Sequence, residues 1–228
     1  MLLFTFSGFL TSVILVLGFL LLILFGEYFR KNNILRGENA RKFVHAFAGT
    51  WGALWPVFLD LKSIAVLMGL GAIAAMVLRK LSIFRSVYGV RRLSVGEILI
   101  GIGLALSAFL ADNGAVFSSA VLIIAWSDSA AALIGLKYGK KNTFKVLGSK
   151  KSVIGSLAFF VSTVVVLMSY MYYTLGSGMI GNIDQLIGAL GLSIFISACL
   201  TVVEIVGVYG VDNLTIPLFA TIVLNVLG

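Results

Sequence analysis

The sequence predicts an all-α, polytopic transmembrane helix bundle, and composition, hydropathy and the placement of basic residues all support this class. The chain has 228 residues, of which 60% are hydrophobic and 11% are charged, whereas soluble domains carry about 25% charged residues. Its mean hydropathy is +1.11. Each membrane-spanning helix needs about 20 apolar residues, so we expect one integral-membrane domain, 1–228, with no soluble domain.

Hydropathy divides the chain into eight predicted spans. They cover residues 2–25, 43–59, 63–78, 97–111, 115–136, 152–175, 185–206 and 214–228. The second span is short and the last is weakly apolar, so seven spans is an alternative. The first span has no basic segment before it and is longer than a signal-peptide core, so we expect it to be retained. The lone cysteine, Cys199, excludes an intrachain disulfide.

Sixteen of the seventeen Lys and Arg residues lie in three polar stretches between predicted spans. The stretches contain Arg30, Lys31, Arg36, Arg41 and Lys42; Arg79, Lys80, Arg85, Arg91 and Arg92; and Lys137, Lys140, Lys141, Lys145, Lys150 and Lys151. Cytoplasmic loops carry such an excess of positive charge, so we expect these stretches in the cytosol and the N-terminus outside. We therefore interpret most of the net charge of +8 as the charge that sets membrane orientation. It can also bind anionic lipid headgroups or phosphates, and no nucleic-acid partner is expected.

Three of the nine carboxylates, Asp128, Glu204 and Asp212, lie within or against apolar helix at the predicted cytosolic end. A charge at mid-bilayer costs about 2.5–3.5 kcal/mol on insertion scales, so such residues usually have a partner and a function. A structural carboxylate is the alternative for Asp128, and an N-cap is the alternative for Asp212. The other six are interpreted as solvated or capping residues: Asp60, Asp112, Asp184, Glu27, Glu38 and Glu97.

The helix face that carries Asp128 continues through small residues, which are Ala131, Ala132, Gly135 and Gly139. Small residues let neighbouring transmembrane helices approach closely, so Asp128 is expected to point into the bundle.

The only histidine, His45, follows Arg41 and Lys42 near the start of the second span. Lys42 and His45 are three residues apart and therefore share one side of a helix. A single histidine is more often a satisfied polar residue than a catalyst. Beside this basic pair, and at the membrane depth of the acids, we expect a catalytic or phosphate contact.

The third basic stretch ends with Gly148, Ser149, Lys150, Lys151 and Ser152, directly before a predicted helix. The first N–H groups of a helix can hold phosphate, although the glycine spacing is not that of a Walker A loop. Carboxylates can bind Mg²⁺, and Mg²⁺ with Lys or Arg can neutralise a triphosphate. A nucleotide at the cytosolic face and a lipid hydroxyl arriving from the bilayer would suit phosphoryl transfer.

Several of these stretches resemble the dolichol kinase/phytol kinase family of CTP-dependent membrane lipid kinases. They are Arg41–His45, Arg92–Glu97, Ser127–Gly135, Gly139–Lys140, Lys151–Ser156, Glu204 and Asp212–Pro217. Together they extend over most of the chain from residue 41 onward. The resemblance implies phosphorylation of a polyprenol, a phytol-like alcohol or diacylglycerol, with CTP as the donor and a divalent metal.

On this hypothesis Asp128, Glu204 and Asp212 serve Mg²⁺ and the proton of the alcohol, with the base and ligand roles left open. His45 positions or deprotonates the hydroxyl. The remaining candidates bind nucleotide or phosphate; they are Arg41, Lys42, Gly135, Gly139, Lys140, Lys150, Lys151, Ser152 and Asn213. The site is expected at the cytosolic face, and a homodimer is an option that the sequence leaves open.

Two residues depart from the family pattern. Ser127 stands where a glycine commonly precedes the aspartate, and Ile154 stands where the family usually has a glutamate. The related CDP-diacylglycerol synthases, which are cytidylyltransferases, are the nearest alternative, but Ile154 and the Arg-Lys-x-x-His stretch favour the kinase. A small ion-coupled transporter is a further alternative. Transporters often show internal repeats and midplane sites, whereas this chain has no visible repeat and gathers its ionisable residues near one face.

Overall fold

The computed structural model describes residues 5–80, 95–176 and 181–227. Over these residues the chain forms helices and one short β-hairpin, which confirms the predicted all-α membrane class. The helices are α1 (Phe6–Lys31), α2 (Glu38–Ala53), α3 (Leu61–Lys80), α4 (Gly96–Leu110), α5 (Gly114–Leu122), α6 (Asp128–Tyr138), α7 (Val153–Leu175), α8 (Ile183–Val206) and α9 (Asp212–Leu227). Arg85, Arg91, Arg92 and the motif residues up to 94 lie outside the described residues.

Each of the eight predicted spans coincides with a helix. Five helical segments are long and apolar enough to cross a membrane, namely α1, α3, the continuous segment Gly114–Tyr138, α7 and α8. Helices α4 and α9 are shorter but apolar, so the weak last span is a helix. Helix α2 ends at Ala53, before the predicted limit at 59, because Pro56 disfavours helical backbone at the preceding residue. A 3₁₀ turn, Trp55–Val57, follows instead.

The segment Gly114–Tyr138 is the central helix of the bundle. Its apolar stretch is 56% buried, compared with 17–28% for the other long segments. It consists of α5 and α6 joined by a π-helical turn, Ile123–Ser127, which the sequence did not predict. Isolated π turns often occur at functional sites, and this one immediately precedes Asp128.

Helices α6 and α7 approach closely at glycines. A Cβ added to Gly155 would lie 2.8 Å from the Ala131 carbonyl oxygen, and one added to Gly135 would lie 2.8 Å from Ser152 Oγ. A Cβ on Gly139 would also collide with Ser152. The predicted small-residue stripe is therefore a packing surface, and it holds the start of α7 against α6.

Between α6 and α7 the chain forms an antiparallel hairpin that the sequence analysis did not predict. Its strands are β1 (Thr143–Val146) and β2 (Ser149–Ser152). Leu147 and Gly148 form the turn with φ of 46° and 83°, and positive φ at both central residues is the geometry that suits a two-residue hairpin. The hairpin gives the third basic stretch a fixed register, with Lys145 opposite Lys150.

Candidate active site

A cavity of about 550 Å³ lies where α2, α6, the hairpin, α7 and the adjoining ends of α8 and α9 meet. Its volume falls in the range of small-molecule sites, about 300–1,000 Å³. All three predicted carboxylates, Asp128, Glu204 and Asp212, line it. So do the predicted binding residues Arg41, Lys42, Gly135, Lys140, Lys150, Lys151 and Ser152.

Asp128 is held by two residues of α2. Its Oδ2 forms an ion pair with Lys42 Nζ and lies 3.3 Å from His45 Nε2. Lys42 is only 2% exposed, so the ion pair is buried. Lys42 is therefore not a solvated loop residue that serves only to set the membrane orientation. A buried carboxylate needs such partners because an unpaired charge in a low-dielectric interior is very costly.

His45 contacts the π turn as well as the carboxylate. Its Nε2 lies 3.0 Å from the carbonyl oxygen of Ile124. A carbonyl oxygen only accepts, so Nε2 carries a hydrogen and donates it. His45 is not among the residues that line the cavity. Its geometry therefore supports a role in holding Asp128 and the π turn rather than direct contact with a ligand.

Two further side-chain bonds fix the π turn. Trp126 Nε1 donates to Thr50 Oγ1 at 2.9 Å, and the buried Thr163 hydroxyl is hydrogen-bonded to Ser127 Oγ at 3.0 Å. The turn is thus attached to α2 on one side and to α7 on the other. Asp128 follows directly, so its direction into the cavity is set by packing on both sides.

Glu204 lies in the last turn of α8 and is paired with the hairpin. Its Oε1 accepts from Lys151 Nζ at 2.7 Å, and Lys151 also donates to the Glu204 backbone carbonyl. Carbonyls in the last turn of a helix have no partner within the helix, so Lys151 also caps α8. Within the described residues, Glu204 Oε2 is buried and has no hydrogen-bond partner.

Asp212 begins α9, where its Oδ1 accepts from the backbone N–H of Asn213 at 3.0 Å. Asn213 itself is buried, and its side-chain amide donates to the Gly96 carbonyl at 3.0 Å. This bond connects the starts of α9 and α4. Of the predicted binding residues that the structure describes, Asn213 and Gly139 do not line the cavity, and both have packing roles.

Three polar residues that the sequence analysis did not select also line the cavity: Glu38, Thr143 and Ser156. Glu38, which was interpreted as solvated or capping, is the first residue of α2 and accepts from Arg41 Nε at 3.1 Å. Its i, i+3 spacing to Arg41 was a visible signal for this pair. Thr143 reaches the cavity because of the hairpin register, and nothing in the sequence indicated that register.

Among the described residues, the three predicted metal ligands, Asp128, Glu204 and Asp212, share the cavity without forming a complete metal centre. Within the described residues, no three His, Cys, Asp or Glu side chains lie close enough to hold an ion by themselves. Mg²⁺ usually takes one or two carboxylates plus substrate phosphates and waters. The buried Glu204 Oε2, with Asp128 and Asp212 in the same cavity, is compatible with that arrangement.

The fold and the cavity together define a polytopic membrane protein in which acids and cations converge at one site. Over 209 residues, the chain is 28% identical to a phytol kinase of Synechocystis sp., covering 88% of this chain and 84% of that protein. No family model and no solved structure matches the chain. The match supports the predicted resemblance to the dolichol kinase/phytol kinase family, and it supports an enzyme of the kinase class.

Proposed function

We propose that this protein is a lipid-alcohol kinase that transfers the γ-phosphate of CTP, or of another nucleoside triphosphate, at the cytosolic membrane face. The acceptor is the hydroxyl of a polyprenol, a phytol-like alcohol or diacylglycerol, and the reaction depends on Mg²⁺. Similarity to a phytol kinase over most of both chains carries this proposal. The cavity, where the three predicted carboxylates meet Lys and Arg side chains, supports it.

The cations of the cavity divide into two groups. Lys42 and Lys151 are each tied to a carboxylate, so they set the positions of Asp128 and Glu204. Lys140 and Lys150 are exposed at the cavity, and they are the groups that would bind a triphosphate. Arg41, held by Glu38, adds a guanidinium, which suits bidentate contact with phosphate.

In the proposed reaction the alcohol oxygen forms a bond to the γ-phosphorus while the bond to the bridging oxygen breaks. CDP leaves with the electron pair, and a cavity carboxylate takes the hydroxyl proton. Asp128, Glu204 and Asp212 are the residues that would hold Mg²⁺, and the bound ion would supply positive charge against the phosphates. Phosphoryl transfer is catalysed mainly by positioning and electrostatics, which agrees with acids fixed by buried lysines.

Purified protein incubated with Mg²⁺, a panel of lipid alcohols and either α- or γ-labelled CTP or ATP tests the proposal. A kinase transfers the γ label to lipid and releases CDP or ADP. A cytidylyltransferase acting on phosphatidate instead transfers the α label and releases pyrophosphate, so the position of the label separates the two enzymes. Absence of γ-label transfer to every alcohol, or ion flux in proteoliposomes without nucleotide, would contradict the proposal.

His45→Gln is expected to keep most turnover, whereas His45→Ala is expected to lose about 10- to 100-fold, the scale of a small misplacement at a catalytic site. Gln can still donate to the Ile124 carbonyl, but it cannot act as a base. Turnover across a pH series checks this, with Ser169→Ala, which removes an exposed hydroxyl bond within α7 away from the cavity, as the control that is expected to keep wild-type turnover. If Gln is as inactive as Ala, a positioning role for His45 is wrong.

A further inference from the structure

Lys145 lies on the hairpin face that carries three residues of the cavity lining. Side chains alternate along a strand, so Thr143 and Lys145 share a face with their cross-strand partners Ser152 and Lys150. Three of these four residues, Thr143, Lys150 and Ser152, line the cavity. Lys151, on the opposite face, also lines the cavity, so it is the pairing that places the exposed Lys145 next to the site, directly opposite the lining residue Lys150. The sequence did not distinguish Lys145 from a solvated lysine.

The opposition of Lys145 and Lys150 is electrostatically unfavourable in the hairpin alone. Like charges directly opposite each other across two strands are destabilising. Within the described residues, neither lysine takes part in an ion pair. A bound anion that contacts both ammonium groups would remove this repulsion.

The rest of the same face also offers hydrogen-bond donors. Ser152 lines the cavity, and its Oγ accepts from the Gly155 backbone N–H at 3.1 Å, so its O–H hydrogen is not used in that bond and can donate. Thr143 adds a second hydroxyl on the cavity. Two ammonium groups and two hydroxyls form a surface that suits the tetrahedral oxygens of a phosphate.

The hairpin is anchored at both ends. Near its base, Lys151 is bonded to Glu204. At its tip, the Tyr209 hydroxyl donates to the Leu147 carbonyl at 3.3 Å. Tyr209 belongs to the α8–α9 connection and has φ of 57°, a rare backbone conformation for a non-glycine residue. The backbone that carries the two lysines is thus held at a fixed place relative to the carboxylates, so only their side chains remain to be ordered on binding.

We propose that Lys145 and Lys150 form a cross-strand lysine pair that binds a phosphate group of the nucleoside triphosphate. The proposal rests on the proposed function for the identity of the ligand. It adds Lys145 to the site. The function of the hairpin would then be to hold two positive charges at a fixed spacing near the cavity carboxylates.

Lys145→Glu is the decisive variant because it is expected to weaken CTP binding without lowering the stability of the protein. The introduced carboxylate would face Lys150 as an opposite charge, so the melting temperature should stay the same or rise. The Kd for CTP should increase about tenfold or more, the scale of a lost charge-assisted hydrogen bond. Lys145→Gln should weaken binding less, and Lys141→Glu, an equal charge change at an exposed residue before β1, is the matched control.

The measurement is CTP and ATP titration of the full chain in neutral phosphatidylcholine nanodiscs, with melting temperatures for each variant. If the wild-type protein binds nucleotide and Lys145→Glu binds equally well, or no worse than Lys141→Glu, the lysine pair is wrong. If the wild-type protein binds no nucleoside triphosphate, the proposed function itself fails. A parallel titration with anionic vesicles identifies the phosphate source. Loss of vesicle binding with unchanged nucleotide binding would assign the pair to lipid headgroups and overturn the nucleotide assignment.

Discussion

Asp128→Asn is expected to reduce turnover by about 10²- to 10⁴-fold, the range associated with loss of a catalytic acid or base, while the protein stays folded in detergent. The amide keeps the size of the carboxylate, and its oxygen can still accept from Lys42, so the buried contact survives in part. It lacks the negative charge that a metal ion or the hydroxyl proton requires. Turnover of labelled nucleotide and lipid alcohol, with size-exclusion profiles for both proteins, measures the effect.

Asp112→Asn is the matched control for this substitution. Asp112 is exposed and lies just before α5, at the other end of the central helix from Asp128. The intervening residues span about 24 Å of helix at about 1.5 Å per residue. The control is expected to keep wild-type turnover. Wild-type activity in Asp128→Asn itself would break the assignment of this carboxylate to the reaction.

The helix positions could be predicted because a bilayer imposes a simple requirement on sequence. Every spanning segment must be apolar for about 20 residues, and hydropathy shows this directly. The helix at α9 was the weakest prediction and is present. The early end of α2 follows from Pro56, which was visible in the sequence. The predicted limit at residue 59 followed the apolar stretch instead.

The convergence of the three carboxylates on one cavity could also be predicted from the sequence, because acids inside a membrane helix are costly and usually have a partner and a function. Their individual partners were not. Asp128 pairs with Lys42 across 86 positions of sequence, and Glu204 pairs with Lys151 across 53. Such pairings depend on which helices pack together, so the sequence could not separate the lysines that hold acids from those open to a ligand.

The π turn and the hairpin had no usable local signal. A π turn has the same apolar residues as the helix around it. The side chain that contacts a carbonyl oxygen of this turn, His45, comes from another helix. The hairpin has strands of only four residues and a lysine-rich composition typical of a solvated loop. Both elements become defined only through tertiary contacts, and both adjoin the candidate site.

Lys42→Met is expected to cause the largest loss of stability, about 3–5 kcal/mol, as for other buried pairs that lose one partner. The substitution leaves the Asp128 carboxylate buried without its ammonium partner. Unfolding in detergent–denaturant mixtures measures the change. Arg30→Met is the control, because the Arg30–Glu27 pair lies within one helix and is partly exposed, and such pairs contribute about 0–1 kcal/mol.

The double variant Lys42→Met with Asp128→Leu separates stability from function. Replacing both members of a buried ion pair with apolar residues is often neutral or stabilising, so the double variant should recover most of the stability lost in Lys42→Met. It should remain inactive, because the carboxylate is gone. Recovery of stability without turnover would show that the pair is kept for its chemistry. An unfolding midpoint for Lys42→Met equal to that of the wild type would show that the buried pair contributes little to the fold.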